Sequence, residues 1–174
     1  MAGREDRDLL LNGMKIVSKS VAETKKFARQ FLDKISKTVP TATGGAVVVG
    51  LYGNLGSGKT TLVQCVAEVL GVAEHITSPT FVIMKSYKLS PRQARSPEWR
   101  RGTTFNFQLL THIDAYRLKS AEELRALGFE KLLRDGANLI LVEWADQVVD
   151  ILPPEHIKLQ FKFINETTRK ITFD

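Results

Sequence analysis

The residues best suited to chemistry stand together at Gly53-Asn54-Leu55-Gly56-Ser57-Gly58-Lys59-Thr60-Thr61. Glycines at these spacings let the backbone bend so that successive N–H groups face inward on an anion. A lysine followed by a hydroxyl residue completes the pattern. Lys59 would reach the β- and γ-phosphates of a nucleotide, and the Thr60 hydroxyl would ligate Mg²⁺. The flanks agree. Ala46 to Tyr52 is an apolar run that reads as a buried strand, and Leu62 to Leu70 reads as a helix closed by Gly71. A helix starting at the glycine-rich turn adds unpaired donors and partial positive charge. This is the setting of a P-loop, and it predicts binding of a nucleoside triphosphate with Mg²⁺. A bare glycine-rich turn is the competing reading, and the correct flanks argue against it.

Two carboxylates further along could serve such a site. Asn138 to Val142 is a buried-strand pattern that ends in Glu143-Trp144. On a strand beside the P-loop strand, Glu143 would stand near the Mg²⁺ of a bound nucleotide. A glutamate at a sheet edge is the alternative. Asp114 ends the apolar stretch Phe105 to Ile113, where a metal-ordering carboxylate belongs; a turn or cap aspartate is the other reading. Trp144 either lines the nucleotide site or simply packs. Thr77-Ser78-Pro79-Thr80-Phe81 sets three hydroxyls around a proline beyond the P-loop helix. It is either a switch segment that touches the γ-phosphate or its metal, or a plain connector.

The rest of the chain must hold these groups in place. Residues 1–14 read as a flexible N-terminal lead, and 15–174 as a single P-loop ATPase domain. Lys15 to Ser18 predicts a short edge strand. Ser20-Val21-Ala22-Glu23 has the pattern of a capping box. The helix it opens, to about Ser36, sets Val21, Thr24, Phe27, Ala28, Phe31, Leu32 and Ile35 on one apolar face. Its lysines read as a solvated side. Strands are expected at Phe81–Leu89 and Phe105–Ile113, with an extended basic insertion at about 90–104 between them. Ser120-Ala121-Glu122-Glu123 is a second capping box, ahead of short helices to Leu127 and over Phe129–Arg134. His156–Ile164 and Thr168–Phe173 predict a hairpin turning at Asn165-Glu166-Thr167, with one wet face. Short strands and helices alternating around a P-loop predict an α/β sandwich with a central mixed β-sheet flanked by helices.

Composition narrows the classes. The chain has 174 residues, 43% of them hydrophobic and 25% charged, ordinary for a globular protein. No apolar run approaches a membrane span, and Met1 to Asp8 lacks the apolar core of a signal peptide. A cytoplasmic protein with no membrane partner is expected. Cys65 is the single cysteine, so no internal disulfide forms, and its setting suits a buried structural thiol. The net charge of +6 suits nucleic acid, an acidic protein or ATP alike. The segment 90–104, with Arg92, Arg95, Arg100, Arg101 and Trp99, reads as an RNA contact, a docking loop or a solvated insertion.

No Asn-Lys-x-Asp element that would read guanine appears, so ATP is favoured over GTP. On the residues alone three functions stay open. They are a partner-dependent ATPase, a stand-alone P-loop kinase for a small molecule, and a nucleotide-gated binding module.

Four motifs in order carry a resemblance: residues 53–61, Thr-Ser-Pro-Thr-Phe (77–81), His-Ile-Asp-Ala-Tyr-Arg-Leu (112–118) and Leu-Val-Glu-Trp (141–144). Together they resemble the TsaE (YjeE) family, over Ser20 to Phe173. That resemblance implies a small P-loop NTPase-like fold. It implies an ATPase in the synthesis of N6-threonylcarbamoyladenosine in tRNA, working with a TsaB–TsaD pair and meeting tRNA through that complex. It further implies that Gly53 and Gly56, Ser57, Gly58, Lys59, Thr60 and Thr61 contact the triphosphate, and that Thr60 and Glu143 hold Mg²⁺. Lys59, Asp114 and Glu143 are then the catalytic set. Thr80 lies in the switch loop, and Val21 and Arg169 border the nucleotide; Trp144 is expected to line the same site from its place beside Glu143. The sequence departs from the family at Ala145, where proline is usual, and in the long basic insertion.

Overall fold

The computed structural model describes residues 15–38, 44–74, 76, 77, 79, 82–89 and 107–173. The N-terminal lead, the basic insertion, His75, Ser78, Thr80 and Phe81 lie outside them. The fold is a P-loop NTPase-like α/β sandwich. Its elements run β1 (Lys15–Ser18), α1 (Val21–Thr38), β2 (Val47–Tyr52), α2 (Lys59–Val69), β3 (Met84–Lys88), β4 (Leu109–Asp114), α3 (Ala121–Ala126), α4 (Phe129–Leu133) and β5 (Asn138–Glu143). A 3₁₀ segment (Ala145–Ile151), β6 (Ile157–Phe163) and β7 (Arg169–Phe173) follow. The seven strands form one sheet in the order β1-β7-β6-β2-β5-β4-β3. Neighbours from β6 through β4 are parallel; β3 on one side and the β6–β7–β1 ribbon on the other pair antiparallel.

The parallel strands are continuous apolar runs because both of their faces are covered. Every residue of β5 is buried, and so are the first five of β2. On one face α1 and α2 pack over the sheet; Thr24 is buried there as expected, but Val21 is 64% exposed, because the first residue of α1 stands at the cleft rather than over the sheet. Phe27 and Phe31 of α1 stack at 6.1 Å, and Phe31 meets Phe173 of β7 at 6.2 Å. Leu51, Leu62, Val66, Leu139 and Leu141 continue this layer. On the other face α3, α4 and the 3₁₀ segment cover β2, β4 and β5 through Leu124, Phe129, Ile140, Val142 and Val148. No residue of β6, β7 or β1 enters that second layer.

Local chemistry sets the boundaries. Ser20 Oγ accepts the Glu23 N–H at 3.2 Å, as a capping box requires, but the Glu23 carboxylate reaches back to the Lys19 N–H rather than to Ser20. At α3 the Ser120 hydroxyl makes no cap bond; Glu123 instead accepts from the Lys119 N–H at 2.9 Å. β3 is shorter than the expected run from Phe81. The N–H groups of Val82 and Ile83 both turn back to the Pro79 carbonyl, and Ile83 sits at φ 65°. The chain is therefore still turning where pairing was expected. β4 opens at Leu109, with the Gln108 N–H bonded to the Ala137 carbonyl just before it; Phe105 and Asn106, where the strand was expected to start, lie outside the described residues. The β6–β7 turn forms where expected, with Asn165 Oδ1 accepting the N–H groups of Thr167 and Thr168.

Candidate functional site

Three parallel strands end at one edge of the sheet. The register sets Leu51 opposite Glu143 and Glu143 opposite Asp114, so the P-loop and both carboxylates emerge side by side. Ligand sites of open α/β sheets form at this carboxyl edge. Neither carboxylate is on an edge strand, since β5 lies between β2 and β4.

The loop itself is wound by glycine. Gly53 has φ 142°, and a Cβ there would stand 2.4 Å from the Phe161 carbonyl oxygen. Gly58, at φ 99°, is the N-cap of α2. Backbone N–H groups at the start of α2 can receive an anion. Ser57 is buried, and its Oγ has no hydrogen-bond partner. Lys59 Nζ donates to the Gly53 and Asn54 carbonyls at 2.6 and 3.0 Å and stands 3.9 Å over the centre of the Trp144 ring. Burial pushes its ammonium below the usual lysine range, while Glu143, Asp114 and Asp146 pull the other way.

The carboxylates are held by named donors. Thr60 Oγ1 donates to Glu143 Oε2 at 2.8 Å, and His112 Nε2 donates to Glu143 Oε1 at 2.8 Å. His112 is wholly buried on β4, and its Nδ1 has no partner. Asp114 is buried too. Its Oδ1 accepts the Tyr116 N–H at 3.0 Å, so it closes a turn while facing the cleft. Trp144 has a left-handed backbone (φ 58°), which is uncommon for a bulky residue. That turn ends β5 and lays the indole between Lys59 and Tyr116, whose ring centre is 4.9 Å away.

The far wall belongs to the β6–β7 hairpin. Arg169 Nε donates to the Gly56 carbonyl at 3.0 Å; its NH1 group donates to carbonyls of its own turn, and the guanidinium lies 4.6 Å over the Phe163 ring. Together these walls enclose an open cleft of about 610 Å³. It is lined by Gly56, Ser57, Gly58, Lys59, Thr60, Thr61, Asp114, Glu143, Trp144, Val21 and Arg169. Gly53 is not among the lining residues; its carbonyl accepts from Lys59. Thr80 falls outside the described residues, as does the basic insertion. Sequence reasoning gave no role to His112, Tyr116, Phe161 or Ser18. For His112 a signal existed: it shares strand parity with Asp114, so both point to the same side of β4.

A hydroxyl beside a carboxylate, a lysine and a glycine cradle can bind a polyphosphate with a hard divalent cation. Comparison with known proteins gives the family. The model of "Threonylcarbamoyl adenosine biosynthesis protein TsaE" matches residues 18–171. A Rickettsia typhi protein described as tRNA threonylcarbamoyladenosine biosynthesis protein TsaE is 33% identical over 151 residues, 86% of this chain and 87% of its own. A protein of the same description from Bacillus subtilis is 34% identical over 72% of this chain and 68% of its own. The crystal structure of Bacillus subtilis YdiB superposes with a TM-score of 0.60 at 27% identity, covering 92% of this chain and 83% of that one.

Proposed function

This chain belongs to the TsaE family of threonylcarbamoyl adenosine biosynthesis proteins, and we propose that it is an Mg²⁺-dependent ATPase serving that tRNA modification in the cytoplasm with a TsaB–TsaD pair. The observation that carries the reading is one cleft in which the P-loop, Lys59, Thr60, Glu143 and Asp114 converge.

The residues fit a triphosphate. Ser57 Oγ is buried and unpartnered in the loop, and Gly56 takes a left-handed backbone (φ 73°) at the cleft wall. The N–H groups at the start of α2 and the Lys59 ammonium take the phosphates. Thr60 Oγ1 and Glu143 Oε2, 2.8 Å apart, are the oxygens that hold Mg²⁺; the ion, when bound, neutralises charge on the phosphates. His112 keeps the Glu143 carboxylate turned toward Thr60. Asp114 contributes to hydrolysis from the cleft floor. Arg169 and Val21 border the nucleotide from the hairpin and from the start of α1.

ATP turnover by the purified chain with Mg²⁺, alone and with the pair, tests this. Slow turnover that rises with TsaB–TsaD is expected. Turnover indifferent to the pair, with phosphate appearing on an added small acceptor, points to a kinase instead. Tight ATP binding with no turnover in either setting points to a nucleotide-gated binding module.

A further inference from the structure

Among the described residues, no helix covers the outer side of β6, β7 and β1. The second core layer stops at β2, which leaves the outer face of β6, β7 and β1 open. Strand alternation sets Lys158, Gln160 and Lys162 of β6 on that face, against the buried Ile157, Leu159 and Phe161. The register adds Lys170 opposite Lys162, and Lys15 opposite Thr172. Among the described residues none of these four lysines has a carboxylate within ion-pair distance, whereas Lys25, Lys37 and Lys85 elsewhere do. The arrangement is costly by itself. Lys162 and Lys170 are like charges directly opposite one another, with Cβ atoms about 5 Å apart, a placement that destabilises a sheet. Lys15 is diagonal to Lys170 on the next strand, and Lys158 lies about 13 Å along β6 from Lys162.

We infer that this face binds the phosphate backbone of a folded RNA, which the family's role makes a tRNA. A patch three strands wide exceeds one phosphate and suits a backbone. Its chemistry separates RNA from an acidic protein. Protein interfaces are poor in lysine and rich in aromatics and arginine. Here the charged residues are all lysines, and Val17 is the apolar neighbour opposite Lys170. Lysines serve phosphates as point charges without base reading. Contact of this kind is electrostatic, independent of sequence and sensitive to salt. It goes beyond ATP turnover, and the nucleotide cleft takes no part in it.

The test is fluorescence anisotropy of an unmodified tRNA transcript titrated with the full chain from 50 to 200 mM salt. Four phosphate contacts predict a slope of log affinity on log salt near −3. The Lys162→Glu/Lys170→Glu double variant is expected to lose about half of that slope and to bind more than tenfold more weakly. A Lys26→Glu/Lys131→Glu control, with the same change in net charge on exposed positions elsewhere, is expected to keep the slope. Lys162→Glu alone faces Lys170 as an opposite charge, so its thermal midpoint stays level or rises while tRNA affinity falls. ATP binding, measured on each variant, stays at the wild-type level, so failure of the nucleotide reading shows separately. Three results overturn the inference: no tRNA binding at 50 mM salt, equal losses in control and patch variants, or tighter binding of polyglutamate than of tRNA.

Discussion

Glu143 has no idle oxygen: one takes the Thr60 hydroxyl and the other the His112 imidazole. A carboxylate so held meets a cation with its orientation already set, and partners of this kind typically change metal affinity or activity by about 10–100-fold. His112→Ala is therefore expected to weaken Mg²⁺ binding in the presence of ATP by about tenfold or more, read by Mg²⁺ titration. ATP binding without metal should change little. His112→Gln, which restores one N–H donor, should recover part of the loss. Glu143→Ala and Asp114→Ala are expected to impair hydrolysis more than binding. Normal hydrolysis by Glu143→Ala with all partners present would exclude it as the metal ligand. Lys59→Ala should abolish triphosphate binding or turnover, since among the described residues only Lys19 otherwise brings a lysine to the cleft. The P-loop residues, Glu143 and Asp114 were legible because their types, spacing and flanking elements are local facts. His112 was not, because its meaning lies in a partner 31 residues away.

Among the elements, the loop between β2 and α2 is the least tolerant. A methyl group on Gly53 would drive into the Phe161 carbonyl at 2.4 Å, in a backbone region that side chains rarely adopt. Gly53→Ala should cost at least about 2 kcal/mol and weaken nucleotide binding along with it, checked by urea denaturation and ATP titration. The start of α1 is milder. Ser20→Ala removes one exposed cap bond, and a loss of about 1 kcal/mol is expected. Strand and helix positions were readable from apolar periodicity. The ends of β3 and the cap of α3 were not. Pro79 gathers two N–H groups, and Glu123 caps through Lys119, in each case by a choice among near-equal local hydrogen bonds.

At the scale of the molecule, two layers of different kinds share one sheet. The α1–α2 layer is aromatic where it meets β7, and Phe31→Ala should cost about 3–5 kcal/mol there. The hairpin that carries Arg169 to the P-loop rests on this contact, so the same variant should also weaken ATP binding. Beneath the other layer, His156 Nδ1 donates to the Pro153 carbonyl at 2.7 Å, and its Nε2 accepts the Tyr52 hydroxyl at 2.6 Å. Burial holds its pKa below the ordinary 6.5. The unfolded chain then takes up this proton before the folded one does. Stability should be full above about pH 6.5 and fall as the pH drops below it. His156→Phe should flatten that part of the profile, measured by thermal midpoints across pH 5–8.

The sequence by itself determined the P-loop pattern, the family and the class of fold. A P-loop needs only consecutive residues with a strand before and a helix after, and burial on both faces writes parallel strands as apolar runs. Tertiary structure decided what sits across from what. The strand order sets Glu143 between the P-loop and Asp114. The β6–β7 hairpin brings Arg169 to Gly56 over 113 residues. Among the described residues the helices of the second layer stop short of three strands, and strand pairing gathers scattered lysines on a single face. These are consequences of pairing partners and layer coverage, which depend on long-range packing rather than on any local pattern.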